Sequence, residues 1–159
     1  MNNKDDYCIK LLENIELKAV REAVRHRVGK SFAAMGIYCS ARTASLGAQA
    51  MLCVFLGKSR SVADEQFLPA KLFETSPSSI AEAVLKFAAE YAYNEVIIAI
   101  HRNALTEPES RFCYYSAAAI FIKDFLRERG IKLCGFYLTE GAAFENILPK
   151  ADITDEKNM

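Results

Sequence analysis

Residues 96–100 read Val-Ile-Ile-Ala-Ile, an unbroken β-branched and aliphatic run too short for a helix and too apolar for a surface strand. A strand of this kind is buried on both faces, so the segment Glu95–Ile100 is expected at the centre of a sheet with helices above and below it. Ala50–Leu56 has the same character, and the turn Gly57-Lys58-Ser59-Arg60-Ser61 joins it to Val62–Leu68, which is half-polar and reads as an edge strand. Lys132–Leu138 and Ala143–Leu148 complete the strand set.

Between the strands lie helical patterns. From about Asn14, Val20, Val24, Val28 and Phe32 recur every four residues as one apolar stripe, with Gly36 as the expected stop and 37–47 as a connection or short helix. Ser76-Pro77 opens a second helix, with a capping hydroxyl and proline at the first position; Ile80, Val84, Phe87, Ala88 and Tyr91 mark its buried face. A third runs from near Ser110 to Arg129 and stops at Gly130. The order is helix, β-β, helix, β, helix, β, β. That is an α/β fold, a mixed β-sheet sandwiched by helices.

The 159 residues suit one domain of roughly 150 residues. Residues 15–148 form it, with flexible tails at 1–14 and 149–159. Twenty basic and twenty acidic side chains cancel to zero, which argues against broad phosphate neutralisation and hence against nucleic acid as the main partner. No apolar run reaches the roughly 18 residues that a membrane span needs. The N-terminus Met-Asn-Asn-Lys-Asp-Asp lacks the apolar core of an export signal. Cys8, Cys39, Cys53, Cys113 and Cys134 are odd in number and contain no Cys-x-x-Cys pair, so reduced thiols in the cytoplasm are expected.

Several motifs resemble chemistry that their surroundings do not support. Gly29-Lys30-Ser31 and Gly57-Lys58-Ser59 copy the end of a phosphate loop, but Val24 and Leu52 stand where its earlier glycine belongs. His26 sits between two arginines on a polar helix face. His101 differs: it ends the most buried strand where a loop begins, a place that favours functional groups in α/β folds. Cys113 could form a thiol dyad with it; the plain alternative is an inert thiol.

The segment His101-Arg102-Asn103-Ala104-Leu105-Thr106-Glu107-Pro108-Glu109-Ser110-Arg111-Phe112-Cys113 resembles the His-x-His…Pro…Ser-x-x-Asp signature of JAB/MPN metalloproteases, best of all the RadC-like branch labelled DNA repair proteins. Val54-Phe55-Leu56, Ala63-Asp64-Glu65, the Ser79–Ala89 helix and Val96–His101 follow the RadC order and spacing, so the likeness covers roughly residues 16–148. A helix-hairpin-helix region, which such proteins carry upstream, is not expected here. The resemblance implies a cytidine-deaminase-like α/β sandwich. It also implies Zn²⁺ on two histidines and an aspartate, a glutamate base, and a serine that steadies the oxyanion during peptide or isopeptide hydrolysis.

Position by position, the resemblance places the first ligand on His101 and the second on Asn103. With one loop deletion the aspartate falls on Cys113; the serine is Ser110 and the glutamate Gln49. Ala104 and Thr106 replace a typical proline and glycine. One imidazole does not retain zinc, and glutamine is no base at neutral pH. The expected protein is therefore non-catalytic, with no cofactor and a protein partner or second copy of itself. Tyr91, Tyr93, Phe112, Tyr114 and Tyr115 are the aromatic residues expected near the former site. Two alternatives stay open: a zinc hydrolase with a rewired His101/Cys113 site, and the DNA-associated role that the RadC label implies.

Overall fold

The computed structural model describes residues 31–46, 49–106 and 112–148. The two tails, the Val20–Val24–Val28 stripe, Cys8, His26 and Ser110 lie outside them. The chain runs α1 (Phe32–Leu46), β1 (Ala50–Leu56), β2 (Val62–Pro69), α2 (Leu72–Thr75), α3 (Pro77–Tyr91), β3 (Glu95–His101), α4 (Phe112–Arg127), β4 (Lys132–Glu140) and β5 (Ala143–Asn146). One five-stranded mixed sheet results, in the order β2-β1-β3-β4-β5. All neighbours are antiparallel except β3 and β4, which are parallel because α4 crosses between them.

β3 is the central strand, as its composition requires. Val96, Ile98 and Ile100 face α3 and α4, with Met51, Cys53 and Phe55 beside them on β1. Ile97 and Ala99 face α1 together with Leu52, Val54 and Leu56. Strict alternation therefore feeds two cores at once, which is why neither strand alternates in polarity. Each fully buried Ile or Leu here contributes on the order of 1.5–3 kcal/mol. β2, the half-polar strand, lies at one edge as expected. No described helix is long and apolar enough to cross a membrane.

Gly36 does not stop a helix. α1 passes through it to Leu46, so 37–46 is helix rather than connection. The glycine serves close approach instead: a Cβ at this position would fall inside the ring of Phe144 on β5. Ser31 caps α1, its Oγ accepting the Ala34 N–H at 3.0 Å. The hydroxyl of Ser76 caps nothing at the start of α3; it pairs with Ser79 Oγ at 2.7 Å, while the Ser76 carbonyl accepts the Ser79 N–H.

Tyr91 is 51% exposed rather than buried, because α3 ends there with Ala92 in the left-handed region at φ 59°. Gly130, at φ 80°, closes α4 as a Schellman turn: Ile131 N–H reaches the Leu126 carbonyl and Gly130 N–H that of Arg127. β5 ends at Asn146, short of Leu148. Asn146 Oδ1 accepts from both Phe136 N–H and Leu148 N–H, which ends the ladder there while Ile147 and Leu148 stay buried.

Three polar residues are buried between α1 and β4, namely Ser40, Thr43 and Thr139, and all are satisfied. Ser40 Oγ donates to the Gly141 carbonyl. Thr43 directs its one hydroxyl proton at the Cys39 carbonyl, 2.8 Å away, so Thr139 supplies the proton in the 2.6 Å contact between the two threonines.

Candidate functional site

The antiparallel pairing of β1 with both β2 and β3 brings the start of β1 to the same end of the sheet as the finishes of β2 and β3. Residues at or beside those termini line one groove of about 590 Å³: Gln49 before β1; Pro69 at the end of β2, with Ala70 and Lys71 after it; Asn103 and Ala104 after β3. The hairpin is closed at this end by Ala70 N–H donating to the Gln49 carbonyl at 2.9 Å. Gln49 and Asn103, 54 positions apart in the sequence, are thus brought to one place.

His101 ends β3 and is half-buried. Its Nδ1 accepts the Asn103 N–H at 3.1 Å, so the imidazole caps the short 3₁₀ turn Arg102–Ala104. Past the turn, Leu105 is inserted into the core. Thr106 is tied down twice: its N–H donates to Glu74 Oε1 at 2.7 Å, and its carbonyl accepts Tyr115 Oη–H at 2.7 Å. The Arg102 guanidinium lies 3.6 Å from Glu145 on β5.

Cys113 is exposed on the first turn of α4 and is not among the residues lining the groove. Ser110 lies outside the described residues. Of the five positions singled out from the sequence, Gln49 and Asn103 line the groove, and His101 bonds to the backbone N–H of Asn103. Pro69, Ala70 and Lys71 carry no chemical motif. Only the return of the β1–β2 hairpin toward His101 would have placed them here.

The aromatic residues expected at this site divide between the two ends of the sheet. Tyr93 stacks on Phe55 and Phe87 below the start of β3, with Tyr91 beside it, at the end opposite His101. Tyr115 is fully buried against Phe73. Tyr114 is half-exposed and donates its hydroxyl to the Glu74 carbonyl. Phe112 begins α4.

Carboxylates on the neighbouring edge strand have structural partners. Glu65 takes a fork from Arg42, with Nε–Oε2 and Nη2–Oε1 both 2.9 Å, and a 3.0 Å bond from Tyr38 Oη. Asp64 accepts its neighbour's N–H and the Tyr93 hydroxyl.

Zinc, the metal that the resemblance implies, does not suit this donor set. A ligating histidine normally donates its second ring N–H to a carbonyl or carboxylate. His101 does the reverse: its Nδ1 lone pair is used, which leaves the ring proton on Nε2. Asn103 and Gln49 offer neutral amide oxygens. Among the described residues, no three His, Cys, Asp or Glu side chains converge as a metal cluster. The Gly57–Ser59 tripeptide sits in a strand–turn–strand hairpin, without the helix that a phosphate loop requires. No family model, no curated protein and no solved structure matches this chain.

Proposed function

We propose that the chain is a RadC-like JAB/MPN domain that has lost zinc-isopeptidase chemistry and serves as a protein-interaction module. One observation carries this reading: Gln49 and Asn103, the positions the resemblance gives to the base and the second ligand, line a single groove, and both are carboxamides. Loss of a general base alone removes about 10²–10⁴ of rate. A carboxamide neither takes up a proton at neutral pH nor holds zinc well. It does present a donor and an acceptor together, which is the pairing pattern of a peptide unit. The groove thus keeps the means to hold a chain without the means to cut it.

Sedimentation analysis of the purified protein, with and without an Asn103→Arg substitution that fills the groove, tests the binding half. The expected result is a dimer or a co-purifying chain in the wild type that the substitution removes. A monomer with nothing bound, unchanged by Asn103→Arg, contradicts it.

A further inference from the structure

We infer that the groove between Gln49, Lys71 and Asn103 binds a free carboxylate joined to a peptide unit, the chemistry shared by a peptide C-terminus and an N-acylated amino acid. This deepens the interaction-module reading and rests on it.

Three polar residues line the groove, Gln49, Lys71 and Asn103, and all three are exposed. Polar groups left open on a concave surface fix the orientation of whatever enters it. Among the described lining residues, Lys71 is the one that carries a charge. Two described carboxylates of the neighbouring elements are engaged. Glu74, three residues after Lys71, accepts the Thr106 N–H, and Glu145 pairs with Arg102.

An ammonium beside two carboxamides matches a carboxylate followed by a peptide group: the cation takes the charge, and each amide offers a donor and an acceptor to the backbone. The remaining lining residues, Pro69, Ala70 and Ala104, are small and leave the groove open to a short peptide end. At about 590 Å³ the groove has room for two or three peptide residues.

The test is an NMR titration of the ¹⁵N-labelled full chain with N-acetyl-Gly-Ala-Ala as the free acid and as its C-terminal amide. N-acetylalanine and inorganic phosphate are titrated alongside. The acid is expected to shift the side-chain amides of Gln49 and Asn103 and the backbone amide of Ala104, and the C-terminal amide to bind about tenfold more weakly. Lys71→Met should bring the acid down to the level of the amide, and Lys71→Arg should keep the preference. N-acetylalanine matching the tripeptide assigns the amino-acid source; much weaker binding assigns the peptide C-terminus. Equal binding of acid and amide, the same shifts from phosphate, or no shift at the groove overturns the inference. If the acid fails to bind while Asn103→Arg still abolishes association, only the carboxylate assignment falls. If both effects are absent, the interaction-module reading falls with it.

Discussion

The imidazole of His101 accepts a hydrogen bond at Nδ1 from the backbone N–H of Asn103, two residues later, at 3.1 Å. A histidine at the end of a central strand is thereby used as a helix cap. In the neutral ring the proton must sit on Nε2, and long-range ¹H–¹⁵N correlation should find it there. A proton on Nδ1 would break the cap and reopen the ring to a metal. Replacing His101 by Ala should cost about 1 kcal/mol, the ordinary value of a lost cap, measured by urea denaturation.

Among the described residues, two turns hold non-glycine residues in the left-handed region: Ser59 at φ 58° with Arg60 at φ 55°, and Ala92 at φ 59°. Ala92 ends α3 where glycine is the favoured residue. Ala92→Gly should raise stability by about 0.5–1 kcal/mol, since relief of the left-handed cost exceeds the added freedom of the unfolded chain. Ser59→Gly should act in the same direction. Arg60→Gly should not, because Arg60 also pairs with Glu95 at 3.1 Å. An urea midpoint for Ala92→Gly at or below wild type would contradict the assignment.

The contact of Gly36 with Phe144 makes a double-mutant cycle. Gly36→Ala drives a methyl into the Phe144 ring and should destabilise the fold by about 1–3 kcal/mol. In a Phe144→Ala background the same substitution should be close to neutral, or stabilising, because alanine is the better helix former. Additive costs in the cycle would mean that α1 does not pass β5 this closely.

Burial leaves the thiols unequal. Cys53 is fully enclosed, and loss of solvation pushes its pKa from 9.0 up to about 12; Cys39 is raised further for the same reason, with Glu65 adding to it. Both stay protonated in the native state where the unfolded chain ionises, so the unfolded state binds fewer protons above pH 9. The thiols' contribution to stability should therefore be constant below about pH 9 and fall as pH rises toward 12, and Cys53→Ala should flatten that fall. In a Cys8→Ser background, the exposed Cys113 should react first with a thiol reagent, ahead of the three buried cysteines.

Much of the fold was written in local pattern. The apolar runs of β1 and β3 admit only a doubly covered sheet, and Gly130 closes α4 in the conformation its position implied. Gly36 misled because its role is set by Phe144, 108 residues away, and no local rule carries that distance. Ser76 has the right residue type for a cap, yet Ser79 competes for its hydroxyl. Tyr91 kept the helical period but fell on the last turn, where α3 leaves the core. At the site, His101 was legible as a strand-end residue, whereas Asn103 and Gln49 were singled out only through the family resemblance. Lys71 was not, since it enters the groove only through the antiparallel return of β2.

On the proposed function, this groove holds a chain and does not hydrolyse one. The most direct measurement is elemental analysis of protein purified without chelator and then supplied with zinc, paired with turnover of an isopeptide-linked substrate by wild type and His101→Ala. The expected result is well under one equivalent of zinc and a rate equal to the buffer blank in both proteins. One equivalent of bound zinc, or turnover that His101→Ala abolishes, would contradict it.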